Sequence, residues 1–289
     1  MDTVLSGFSL LCGVAAGSAV LAGPAFGAFA RPGGMPKTLG STHFLVHYQS
    51  DLVNSASWAT TQTTAGDVAA RAERAYAPEL ADGYPAPLGD GGLGGDGRID
   101  IYVNDLGGLA LGLAEWDVDV PLQTSGFIEL AGDNPEVGLD QHTIAHELFH
   151  LIQFAIWRPP ALADYWLLEG SAEWMGYRVN GYGNAHPFSF GPADLSLDCR
   201  DPAGTNQCDL NDDYLNNGYS RWRFFEYLIE KYGKLFVTNI FAQGAAGAGS
   251  ALAATSSALA AKGTTLADTY NAWTTADMTA AYSVQHSSR

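Results

Sequence analysis

Two stretches decide how the chain is read: Gln141-His142-Thr143-Ile144-Ala145-His146-Glu147-Leu148-Phe149-His150-Leu151-Ile152, and further on Trp166-Leu167-Leu168-Glu169-Gly170-Ser171-Ala172-Glu173-Trp174. Apolar residues at helical spacing, a capping aspartate at Asp140 and a stop at Pro159-Pro160 predict a helix ending near Trp157. His146 and His150 are four residues apart, so one helix face carries both imidazoles, close enough to share one Zn²⁺ at ~2.0–2.1 Å. Glu147 lies about 100° further round the helix, where its carboxylate can reach a metal-bound water without ligating the metal. Burying two histidines and a carboxylate in an apolar helix is costly unless they have a role. A catalytic zinc also needs a third protein ligand and one open position. Eighteen residues separate His150 from Glu169. The Pro-Pro turn lets a second helix, predicted from Tyr165 to Tyr177, fold back and offer Glu169. His142, one turn before His146, is read as a first-turn residue, because a fourth protein ligand would close the site.

The pattern His-Glu-x-x-His, eighteen residues, Glu-Gly-x-Ala-Glu resembles the gluzincin metallopeptidases, aminopeptidase N-like enzymes especially, and is similar to secreted bacterial metalloproteases of that clan. It spans roughly residues 40–280 and is sharply specific over 140–175. A sister class that draws a third histidine from the same segment is excluded by Gln153 and Ile156. The resemblance implies a thermolysin-like zincin fold, one catalytic Zn²⁺ and peptide-bond hydrolysis. It implies His146, His150 and Glu169 as zinc ligands and Glu147 as general base, taking a proton from water and returning it to the leaving amine. Glu173, one turn after Glu169, matches a position that supports a ligand histidine; a carboxylate there can accept the free imidazole N–H. The oxyanion calls for a second donor, for which Tyr219, Tyr214 and His186 are the candidates. Leu168 stands where the aminopeptidases usually carry Asn. Gly126-Phe127-Ile128-Glu129 only shadows their exopeptidase loop, so Gly126–Leu130 is read instead as an edge strand pairing with an extended substrate.

Around this centre, strands are expected at Thr42–Tyr48, Arg98–Val103 and Gly126–Leu130, a helix at Ser57–Leu80, and further helices at Tyr219–Tyr232, Leu235–Ala242 and within Ser250–Trp273. Strands precede helices, so the class is α+β: an N-terminal mixed sheet with the active-site helix, then a mostly helical C-terminal half. Residues 40–280 read as one catalytic domain after a linker at 31–39, with a flexible tail at 281–289.

Thr3–Ala30 is apolar and closes with Ala28-Phe29-Ala30, a pattern that signal peptidase accepts. It is read as an export signal cleaved near Ala30, or as a membrane anchor if uncleaved, which makes the protein secreted or surface-bound. Cys199 and Cys208 flank a polar Pro/Gly loop and suggest a disulfide in an exported chain. Of 289 residues, 31 are acidic and 14 basic, a formal charge of −17. A surface this negative repels phosphate backbones and anionic lipids, which excludes nucleic-acid binding and fits a soluble protein with neutral or cationic substrates. The resemblance implies a peptide or protein substrate, and the chain is read as a monomer. Asp90, Asp96 and Asp100 faintly echo a Ca²⁺ loop without its ordered ligands or terminal Glu, and Asp194–Asp213 is a second acidic cluster.

Overall fold

The computed structural model describes residues 10–12, 29–49, 62–108, 110–118, 123–159, 164–181, 218–219 and 221–278. The chain resolves into two compact units, one comprising residues up to 81 and 85–155, the other 82–84 and everything after 155.

The first unit is a mixed sheet with helices. Its strands are β1 (Leu10–Cys12), β2 (Lys37–Gly40), β3 (Phe44–Tyr48), β4 (Ile99–Asn104), β5 (Gly112–Trp116) and β6 (Gly126–Ala131). They run in the order β1-β5-β6-β4-β3-β2. β3, β4 and β6 are parallel neighbours, whereas β2 pairs antiparallel with β3 and β5 antiparallel with β6. The three-residue β1 adds to the outer edge of β5, with Cys12 opposite Gly112. Helix α1 (Gln62–Ala81) packs on β3, with Tyr76 edge-on to Phe44 at 5.7 Å.

Three expectations change here. Lys37–Gly40, read as the end of a linker, is a strand. Gly126–Leu130, read as an edge, lies inside the sheet: its backbone is hydrogen-bonded to β4 on one side and β5 on the other, so it has no free edge for a substrate. β5 was missed altogether, because Gly112-Leu113-Ala114-Glu115-Trp116 shows little alternation.

Arg31 is anchored, not part of a loose linker. Its guanidinium bonds both oxygens of Asp117, at 2.8 and 3.0 Å, and also pairs with Asp90 and Asp100. It lies 5.0 Å from the Phe127 ring centre as well. His47 Nε2 donates to Asp100 Oδ1 at 2.6 Å. The carboxylates that echoed a calcium loop therefore serve Arg31 and His47, and Asp96 serves Arg98. Burial of charge on this scale is tolerable only with such close pairing.

After β6, a turn and the short α2 (Pro135–Gly138) lead to α3 (Gln141–Ile156). Asp140 caps it as expected, its Oδ1 accepting the Thr143 N–H at 2.7 Å. Arg71 of α1 donates to the Leu139 carbonyl and Gln141 Nε2 to the Arg71 carbonyl, fixing the entry of α3.

The second unit is helical: α4 (Tyr165–Asn180), α5 (Trp222–Tyr232), α6 (Phe236–Gln243), a π-turn at Gly244–Ala248, α7 (Ala251–Ala260) and α8 (Leu266–Met278). Its interior is aromatic, with Trp166 stacked on Phe225 at 5.9 Å and Trp273 5.1 Å from Phe224. Trp174 Nε1 donates to Glu226 Oε2 at 2.5 Å, and Asp164 Oδ1 accepts from Ala251 N at 2.6 Å. The α+β class is as the sequence implies, and the helices expected within Ser250–Trp273 are two, separated by the turn at Ala261–Gly263, the second running on to Met278. No described helix is long and apolar enough to cross a membrane.

Candidate metal centre

Every residue of α3 from His142 to Ala155 is buried. Ile144, Leu148, Leu151 and Ile152 supply the apolar part of that burial. Glycines on the sheet let α3 approach closely. A Cβ on Gly126 would lie 3.0 Å from the Leu151 side chain, and one on Gly112 would lie 2.7 Å from Glu147 Cγ and 2.8 Å from its Oε1. Trp116 meets Phe154 edge-on at 5.9 Å, and Thr124 N–H donates to the Phe154 carbonyl at 3.1 Å. Helix α3 is thus held along β5 and β6, with the Glu147 carboxylate seated over the glycine that begins β5.

On the polar stripe of α3, His146 Nε2 and His150 Nε2 stand 3.0 Å apart. Two imidazole lone pairs cannot face each other at that distance without a shared proton or cation. For two nitrogens on a tetrahedral ion at ~2.0–2.1 Å the separation is about 3.3–3.4 Å, so a small shift seats one. His150 Nδ1 donates to Gln153 Oε1 at 2.7 Å.

Among the described residues, buried His and Glu side chains form two groups that could hold a metal ion: His146, His150 and Glu169, and His142, His146 and Glu173. In each, the ligand atoms lie within 4.8 Å of one another. The first of these groups consists of the residues that the sequence reading names as zinc ligands. The second includes Glu173 and also His142, which the sequence reading set aside as a first-turn residue. The i, i+4 spacing of His142 and His146 was the signal that could have found it. Two imidazoles and one carboxylate suit Zn²⁺, which favours few nitrogen and oxygen ligands, far better than Ca²⁺, which takes 6–8 oxygens.

Within the second unit, Glu169 is fully buried on α4, and Gly218 lies against it: a Cβ there would meet Glu169 Cβ at 3.1 Å. Tyr219 follows directly and is buried. Tyr214, His186, the Cys199–Cys208 pair and the acidic cluster at 194–213 lie outside the described residues.

The residues expected to bind substrate fall elsewhere. Phe127, Ile128 and Glu129 are buried on the interior strand β6. Glu129 Oε2 accepts from Asn104 Nδ2 at 3.0 Å, and burial pushes its carboxyl above the usual range despite that bond. Comparison with family models, with curated proteins and with solved structures finds no match to the chain.

The Glu129 environment gives a pH prediction. An acid with a raised folded-state pKa favours its protonated form in the fold, so its ionisation costs stability as pH rises above the ordinary carboxylate range. Glu129→Gln should therefore stabilise the protein at pH 7 by about 1 kcal/mol, with the gain shrinking towards pH 4, as read by urea unfolding at the two pH values. An equal or larger gain at pH 4 would contradict the assignment.

Proposed function

We propose that this protein is an exported, zinc-dependent metallopeptidase with a thermolysin-like active site, in which His146, His150 and Glu169 hold one Zn²⁺. The observation that carries the reading is the pair of Nε2 atoms 3.0 Å apart on a buried helix, grouped with a buried glutamate. When bound, the ion supplies Lewis acidity, activating water and polarising a carbonyl.

The remaining chemistry belongs to side chains of this chain. Glu147 is the general base: on the turn that carries the histidine pair, its carboxylate takes a proton from water and delivers it to the leaving amine. A buried site keeps bulk water from screening these charges. Gly112 is a glycine because a side chain there would occupy the space of the Glu147 carboxylate. Glu173 accepts an imidazole N–H from its histidine group, orienting that ring. Tyr219, in the turn packed on Glu169, is the candidate donor to the oxyanion.

An extended peptide would add to β5, the strand that passes beside Glu147, in place of the interior strand β6. Signal cleavage after Ala30 would remove Leu10–Cys12 from that edge and leave it open. The chain acts as a monomer on peptide or protein.

Peptide hydrolysis should be abolished by a chelator and restored by zinc. Glu147→Gln should lower kcat by roughly 10²–10⁴-fold while bound metal stays near one equivalent; a Gln variant with undiminished turnover would remove Glu147 from the mechanism. A zinc-loaded protein that cleaves a non-peptide ester but no peptide would identify a different hydrolase, and one that cleaves nothing would identify a silent binding protein. Gly112→Ala should lower kcat/KM by tenfold or more, since an ångström of misplacement can cost about 10²-fold, with metal content unchanged. Wild-type rates in that variant would show that Glu147 does not need the space.

A further inference from the structure

We infer that Gln153 is a positioning residue for the metal centre: its side-chain carbonyl fixes the tautomer of His150, so that the Nε2 lone pair is already turned towards the metal position before any ion arrives. The inference rests on the metal reading above and goes beyond it in naming which group prepares the site and how.

The geometry is contained in α3. Gln153 follows His150 by three residues, the spacing at which helix side chains meet. Its Oε1 accepts from His150 Nδ1 at 2.7 Å. An amide oxygen can only accept, so the hydrogen lies on Nδ1, and in a neutral imidazole Nε2 then carries the lone pair. That Nε2 is the atom 3.0 Å from His146 Nε2. His150 is fully buried and Gln153 is 1% exposed, so water does not compete for the bond. The His150 ring also lies near-parallel to that of Phe154, with centroids 6.3 Å apart and an interplanar angle of 15°.

The choice of an amide has a consequence. A carboxylate at 153 would make the same hydrogen bond and add a negative charge to a buried helix that already carries Glu147. Glutamine fixes the tautomer with no added charge. The partner of a ligand histidine is usually worth 10–100-fold in metal affinity, so this side chain accounts for a measurable share of the binding.

Long-range ¹H–¹⁵N spectra of metal-free wild-type protein should show His150 protonated on Nδ1. Gln153→Leu should lose that single tautomer and bind zinc about 10–100-fold more weakly in competition with a chelator. Gln153→Glu, which keeps the acceptor, should retain both the tautomer and at least wild-type affinity. The Glu variant and the wild-type spectrum decide the matter if the Leu variant does not fold. Protonation of His150 on Nε2 in the wild type, or a folded Leu variant with unchanged zinc affinity, overturns the inference. A wild-type protein with the expected tautomer but no zinc affinity overturns the metal reading itself.

Discussion

The structure depends on one arrangement: two imidazoles on successive turns of a buried helix whose Nε2 atoms are 3.0 Å apart. Helix α3 is enclosed from His142 to Ala155, yet it carries three histidines, a glutamate and a glutamine. Groups of this kind cost several kcal/mol each to take out of water unless they are paired. Nothing in hydrophobic packing calls for them. A shared divalent cation, which these side chains could hold, would make their company favourable by turning close-set nitrogens and carboxylates into ligands.

Much of the first unit can be understood as support for that helix. Gly112 lets Glu147 of the helix lie where a Cβ would press to 2.7 Å, and at Gly126 a Cβ would crowd Leu151 at 3.0 Å. Asp140 caps its first turn, and α1 grips its entry through Arg71. At the far end, Trp116 and Thr124 hold Phe154. The other surface of the sheet is pinned by Arg31 among Asp90, Asp100 and Asp117. Precision at the histidines is therefore bought with backbone contacts and paired charges on both faces of the sheet.

The sequence made the helix and its candidate ligand histidines legible for a physical reason: i, i+4 spacing on one helix face is a local property. Glu169 was read from the Glu-Gly-x-Ala-Glu pattern eighteen residues after His150, within a stretch whose apolar spacing already predicted a helix. Gln153 was seen only as the absence of another motif, although its three-residue spacing from His150 could have suggested a partner. The strand order was not legible. β5 lacks alternation, and the interior position of Gly126–Leu130 depends on long-range pairing that no local pattern encodes. Arg31 was misread because a Pro/Gly-rich stretch resembles a tether, whereas its guanidinium meets carboxylates 59 to 86 residues away along the chain.

The most direct test is X-ray absorption at the zinc edge on the loaded protein. We expect four light scatterers, two of them with the outer-shell pattern of imidazole, at ~2.0–2.1 Å. A sulfur shell near ~2.3 Å, or a spectrum without imidazole scattering, would contradict coordination by His146, His150 and Glu169.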